Sequence, residues 1–80
     1  MPRVFPQTNG FDVKVNIVED QDEPHVHVYK AGAEYRVSLV TGRVLTSGGA
    51  GSTRAQARAA EQLVQEHIDE CWEEWKKWHP

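Results

Sequence analysis

Phe11, Val13, Val15 and Ile17 alternate with Asp12, Lys14 and Asn16, the period of two that marks a strand with one buried face. An acidic stretch, EDQDEP, follows, and Pro24 marks the entry to a second strand. There Val26 and Val28 point one way, and His25, His27 and Tyr29 point the other. Ala31-Gly32 reads as a two-residue hairpin turn. The third strand places Tyr35, Val37 and Leu39 on one face and Glu34, Arg36 and Ser38 on the opposite one. Thr41-Gly42 offers a second tight turn, into a short run ending near Leu45. Turning at Ala31-Gly32 pairs Val28 with Tyr35, Val26 with Val37, His27 with Arg36 and His25 with Ser38. A six-residue loop from Glu19 to Pro24 would pair Ile17 with Val26 and Asn16 with His27. A slip of one residue would put every apolar side chain on the wrong face, whereas a slip of two keeps the faces and changes the partners.

Beyond the glycine cluster SGGAGST the period changes to that of a helix. Thr53 with Gln56 three residues on forms a capping box, the hydroxyl taking an orphan amide while the Gln side chain reaches back. Ala60, Leu63, Val64, His67, Ile68, Cys71, Trp72 and Trp75 make one stripe, opposite Glu61, Gln65, Glu66, Asp69, Glu73 and Lys76. One helix from about Arg54 to near Trp78 would be about 37 Å long, against about 20–27 Å for strands of six to eight residues. Its tryptophan-rich end should overhang the sheet and meet either the Val4-Phe5 segment or a second chain. These elements predict an α+β fold: a three- to four-stranded antiparallel meander with one long C-terminal helix packed on one face. Residues 1–80 form a single small domain.

Bulk properties narrow the function classes. Hydrophobic residues are 39% of the chain and charged ones 26%, an ordinary globular balance. The net charge of −3 argues against a general nucleic-acid coat protein. Residues 1–58 carry seven Lys/Arg against six Asp/Glu and residues 59–80 carry two against six, so the acidity belongs to the helix. With Cys71 as the one cysteine, an intrachain disulfide and a paired-cysteine zinc knuckle are excluded. Neither a membrane-spanning run nor a signal-peptide core is present, and a cytoplasmic protein is expected. SGGAGST lacks the Lys and the spacing of a phosphate loop and reads as a flexible connection. Capping accounts for Thr53 without an anion at the helix start.

The chemistry centres on His25 and His27. Two histidines at i and i+2 of a strand point the same way, a spacing that can chelate a metal ion. A catalytic zinc site wants a third protein ligand; Asp12 and Glu34 share the face, but Arg36 beside His27 would repel a cation. As an acid/base pair the histidines, with Arg36 and Lys14 on the same face, could cleave RNA without a metal. The acidic loop at Glu19 to Glu23 would repel RNA nearby. As a polar stripe on an open sheet, His25, His27, Tyr29, Arg36, Asn16 and Lys14 suit a partner-binding surface. Elsewhere, His67 reads as a boundary core histidine and Cys71 as a packing residue. Trp72 and Trp75 read as core, and Trp78 as the exposed tryptophan.

The ordered layout resembles a known family. The opening MP, Asn9-Gly10-Phe11 before the first strand, the acidic loop into PHVHV, Gly32-Ala33-Glu34 and LVQEHIDECWEEW together are similar to short bacterial proteins grouped as domain of unknown function 4160. Two departures stand out: the family commonly shows two prolines before the first histidine, where this chain has Glu23 and Pro24, and SGGAGS precedes the helix. The resemblance implies no particular activity. It implies a neighbouring small gene and one component of a toxin–antitoxin-like pair. A protein-interaction module without a cofactor, binding another small protein such as the neighbouring gene's product, is therefore expected. Two alternatives stay open: a metal-independent ribonuclease using His25, His27 and Arg36, with RNA as substrate, and a metal-binding protein through His25 and His27.

Overall fold

The computed structural model describes residues 1–18 and 23–80. It is α+β. Strands β1 (Asp12–Lys14), β2 (His25–Lys30), β3 (Ala33–Ser38) and β4 (Val44–Gly48) precede helices α1 (Arg54–Glu66) and α2 (Ile68–Trp78). The sheet is an antiparallel meander in the order β1-β2-β3-β4.

The β2–β3 register follows from the hairpin turn. Val28 pairs with Tyr35, Val26 with Val37, His27 with Arg36 and His25 with Ser38. Ala31 and Gly32 both adopt positive φ, +48° and +84°, as a two-residue turn matched to strand twist demands. The β1–β2 register differs from the expected one by two residues. Val13 pairs with Val28 and Lys14 with His27, so Lys14, not Asn16, stands across from His27. The faces survive and the partners change. The ladder stops at Lys14, and Ile17, expected in the buried row, is 48% exposed. The connection to β2 is correspondingly longer than six residues, and its acidic part at residues 19–22 lies outside the described residues.

Residues 2–4 add a further rung to the outer edge of β1. Val4 N–H donates to Val13 O (2.8 Å) and Val15 N–H to Pro2 O (3.0 Å), with Arg3 bridging to Lys14. At the opposite side of the sheet, β3 enters β4 through a loop at Leu39 to Gly42, closed by Ser38 N–H to Arg43 O (2.9 Å). The expected two-residue turn at Thr41-Gly42 is thus the end of a four-residue loop.

The core lies on the valine face. Val13, Val15, Val26, Val28, Tyr35 and Val37 have no exposed surface, and they pack with Phe5, Phe11, Leu39, Ala60, Leu63, Val64 and Cys71. Three polar side chains of α1 tie it to the sheet: Gln56 takes the Tyr35 hydroxyl (2.5 Å), Glu61 takes the N–H of Val44 (2.8 Å), and Gln65 donates to Gly42 O (2.8 Å). The cap differs from the reciprocal box read in the sequence. Thr53 Oγ1 does accept from Gln56 N–H (3.1 Å), but the Gln56 side chain turns to Tyr35, whose hydroxyl accepts the Thr53 N–H (3.3 Å). A buried tyrosine has been inserted into the capping box.

The expected single helix is two helices, broken at His67, where φ is −116° and ψ +28°. Its amide is shared between Leu63 O (3.2 Å) and Val64 O (3.1 Å), and its ring stacks on Phe5 at 4.3 Å and 24°. A straight helix would carry its last two turns past the sheet. The break instead leaves α1 against β3 and β4 and brings α2 onto β2, so that Cys71 is fully buried while Trp72 and Trp75, expected as core, are half-buried at its margin. The N-terminal Phe5 meets the helix at the break, stacked on His67, while the tryptophan end meets His25 and His79 through Trp75. The glycine cluster is also not a loose connector. A Cβ on Gly49 (φ +95°) would lie 2.1 Å from Gly32 O, and one on Gly51 2.6 Å from Ala31 O. These glycines let the approach to α1 press against the β2–β3 turn.

Tyr35→Phe should cost about 1–3 kcal/mol, because it strips a hydrogen-bond partner from the Thr53 amide and from Gln56 at a buried site. Urea unfolding of the two proteins measures this. A loss below about 0.5 kcal/mol would show that the bridge adds nothing beyond the apolar packing of the ring.

Candidate functional site

The second sheet face is built in cross-strand rows. Asp12, Tyr29 and Glu34 form one row, and Lys14, His27, Arg36 and Thr46 form the next. His25 and Ser38 follow at the end where β2 begins. Pleating puts these groups together because they occupy alternate positions of four neighbouring strands. Lys14, His25, His27, Tyr29 and Arg36 are thereby gathered on one surface. Asn16 lies beyond the ladder, its Oδ1 accepting the N–H of Val18 (3.0 Å).

This face was expected to be open, with both histidines opposite the helix. Both are buried: His25 is 1% exposed and His27 9%. Part of the covering comes from the helix, for Trp75 of α2 lies with its ring centroid 5.8 Å from that of His25. The break at His67 explains it, since the C-terminal half of the helix turns toward the start of β2. Trp75 also stacks on His79 at 3.8 Å, and His79 Nε2 donates to Asn16 O (2.7 Å). A ladder of rings results: Tyr29, His27, His25, Trp75 and His79, with neighbouring centroids 6.3, 5.1, 5.8 and 3.8 Å apart.

Hydrogen bonds fix how each imidazole is held. His25 Nδ1 lies 2.8 Å from Glu23 O, and a carbonyl only accepts, so Nδ1 carries the proton. The Glu23 carboxylate accepts the hydroxyl of fully buried Ser38, whose oxygen in turn accepts the amides of Val40 (3.0 Å) and Thr41 (3.2 Å). One acidic residue thus clamps the start of β2 to the end of β3. His27 Nδ1 donates to Glu34 Oε2 (2.8 Å), placed diagonally across the hairpin, two residues before the partner Arg36. In each ring the remaining polar atom, Nε2, is buried. A carboxylate behind an imidazole is an arrangement that orients catalytic and metal-binding histidines. Here that second nitrogen offers no open path to a substrate.

At the outer margin the face is accessible. Arg3 makes two hydrogen bonds to Asp12 (2.7 and 3.1 Å), and Lys14 Nζ lies 3.6 Å from the same carboxylate. The hydrogen bond from Arg3 holds Asp12 below the usual carboxylate range. Tyr29 ionises above the ordinary phenol range, first because it is desolvated and then because Glu34 and Asp12 oppose a second negative charge. Asp12, Tyr29, Lys30 and Glu34 line an open cleft of about 430 Å³ beside the β2–β3 turn. Cys71 is fully buried, its thiol pushed up to about 12 by desolvation, and so is chemically inert. Among the described residues no group of three or more His, Cys, Asp or Glu side chains could hold a metal ion.

The alternation of residues in PHVHVYK and its hairpin partner revealed which side chains meet. It did not reveal Glu23, Trp75 or His79. Those come from a strand entrance and a helix end, where no period operates. Glu34 was placed on the correct face, and its bond to His27 could have been read from the diagonal position.

Four antiparallel strands with a broken helix on one face and a buried histidine pair on the other define a small α+β domain. A family model described as a domain of unknown function (DUF4160) matches residues 10–76. The chain belongs to that family. Searches of curated proteins and of solved structures return no match.

Tyr29 should titrate above the ordinary tyrosine range when followed by NMR or absorbance at alkaline pH. Glu34→Gln should bring its midpoint down, because the change removes a negative charge that opposes the phenolate. A midpoint that does not move would assign the shift to desolvation and Asp12.

Proposed function

We propose that the chain is a cytoplasmic protein-interaction module, one component of a toxin–antitoxin-like pair whose other component is the small protein encoded by the neighbouring gene. The carrying observation is the burial of both imidazoles, with Nδ1 of each committed to a structural hydrogen bond. Groups held in this way stiffen a surface. A ribonuclease would need one of them to reach a 2′-hydroxyl and another the leaving oxygen. Around the histidines the face presents Lys14, Tyr29 and Glu34 as a polar, aromatic-containing border of the kind found at the rim of protein interfaces, while Arg36 is half-buried beside His27 with its Nε and Nη2 covered. Asn16 extends that border to the sheet end. His25 and His27 act from beneath by fixing β2.

Two experiments bear on this reading. Wild-type protein incubated with RNA in EDTA should leave it intact, and the neighbouring gene's product should co-elute with the chain after co-expression. Lys14→Glu together with Tyr29→Ala should weaken that complex at least about tenfold, with the circular dichroism spectrum unchanged. RNA cleavage by the wild type that is lost in His27→Gln would replace the interaction module with the ribonuclease.

A further inference from the structure

Residues 2–8 are joined to the rest of the fold by contacts that do not depend on which copy of the chain supplies them. Val4 N–H donates to Val13 O (2.8 Å), and Val15 N–H donates to Pro2 O (3.0 Å). Arg3 makes two hydrogen bonds to Asp12 (2.7 and 3.1 Å). Phe5, 7% exposed, stacks on His67 at 4.3 Å. Between this segment and β1 the chain turns through Asn9 and Gly10. Thr8 N–H donates to Phe11 O (3.0 Å) and Phe11 N–H to Thr8 O (2.8 Å), while Asn9 and Gly10 hold φ of +52° and +80°. A left-handed conformation is unfavourable for a residue with a Cβ, even for asparagine, and extending the turn relieves it. Opened there, the segment finds the same docking surface on a neighbouring copy.

Charge and backbone chemistry select that neighbour. Pro2 and Pro6 fix φ within the segment and bias Met1 and Phe5 toward extended backbone, so the segment favours strand form whether the turn is closed or open. Residues 4–11, VFPQTNGF, carry no charge, and two copies of a chain with net charge −3 can cross over this stretch without like charges opposed. At its margin the signs are complementary, Arg3 of one copy meeting Asp12 of the other. The pairing of Thr8 with Phe11 becomes mutual around a two-fold axis, which closes the arrangement at two copies. An unrelated strand would have to supply the backbone rung, the cation and the aromatic ring together, and the second copy already carries all three.

We infer that two copies of the chain exchange residues 2–8, with Asn9-Gly10 as the hinge, so that Phe5 of each copy stacks on His67 at the helix break of the other. The closed monomer has the advantage of a high effective concentration. Exchange therefore grows with protein concentration, and grows further when the turn is made harder to form. This goes beyond the interaction-module reading and stands without it, because a neighbouring gene's product that fails to bind leaves the exchange untouched.

Sedimentation over a range of concentrations compares the wild type with Asn9→Val/Gly10→Val, since β-branched residues resist positive φ yet suit a continuous strand. The Kd of the dimer should fall at least about tenfold in the variant. A variant no more dimeric than the wild type would overturn the hinge. A second measurement keeps the turn intact. Arg3 and Lys14 are bridge partners flanked by the two backbone hydrogen bonds to residues 2–4, which sets them directly opposite with their side chains close, a geometry that a disulfide accepts. A chain carrying Arg3→Cys and another carrying Lys14→Cys are unfolded together under reducing conditions, refolded at high concentration and then oxidised, with Cys71 buried once folding is complete. A covalent dimer is expected from the mixture and from neither chain alone, and reduction should return it to single chains. A mixture that yields no covalent dimer would overturn the exchange itself.

Discussion

The hydroxyl of Tyr35 is where the sheet and the helix become one structure. Its ring is a core residue in the middle of β3, without exposed surface, and its oxygen lies inside the first turn of α1, between the Thr53 amide and the Gln56 side chain. A helix start leaves amides without intrahelical partners, and a buried phenol needs partners of its own. Each meets the other's requirement. The consequence is positional as well as energetic, because the helix can begin at only one height above the sheet. From that start Glu61 and Gln65 fall where they can hold Val44 and Gly42, and the stripe of Ala60, Leu63 and Val64 falls on the valine face. The glycines before Thr53 serve the same end by allowing close approach to the β2–β3 turn.

With the start fixed, the length of the helix becomes a constraint. An unbroken rod would have left its tryptophan end over solvent. The break at His67 exchanges one residue of helical geometry for the burial of Cys71 and the partial burial of Trp72 and Trp75. Phe5, brought up by the added rung at residues 2–4, supports the break by stacking on His67. Both devices are non-local, which is why the apolar stripe, continuous through His67, predicts an unbroken helix. A period describes which side faces inward. It contains no information about what the far end will meet.

The same distinction separates what was legible from what was not in the sheet. The pairings between β2 and β3 could be read because Ala31-Gly32 leaves only one register that buries Val26, Val28, Tyr35 and Val37 together. Between β1 and β2 the sequence offers no two-residue turn that would set the register, and the two-residue offset that puts Lys14 across from His27 preserves every face. Alternation alone does not distinguish those registers. The N-terminal rung favours the observed one, since Val13 and Val15 are held to Val4 and Pro2. Composition gave no sign of that rung. Likewise the polar character of His25, His27 and Tyr29 was plain, but their exposure was not, because it depends on Trp75 arriving from the other end of the chain.

That arrival changes what the histidines mean. Two imidazoles on an open strand invite chemistry, but here each is bonded through Nδ1 and lies in a ladder of rings that runs from Tyr29 to His79. His25 is joined to Glu23 and through it to Ser38, which organises the turn carrying Val40. His79 is joined to Asn16, which organises the turn carrying Val18. The buried motif and the exposed apolar end are therefore parts of one construction: the polar groups are spent on holding loop and helix ends in place, and the hydrophobic side chains on those ends are left facing outward. Natural domains of this size have little stability to spare. The buried polar groups fix loop and helix ends whose hydrophobic side chains, Ile17, Val18, Val40 and Trp78, remain exposed. The histidines, buried and bonded through Nδ1, act on the geometry of that end of the sheet and not as free imidazoles awaiting a substrate.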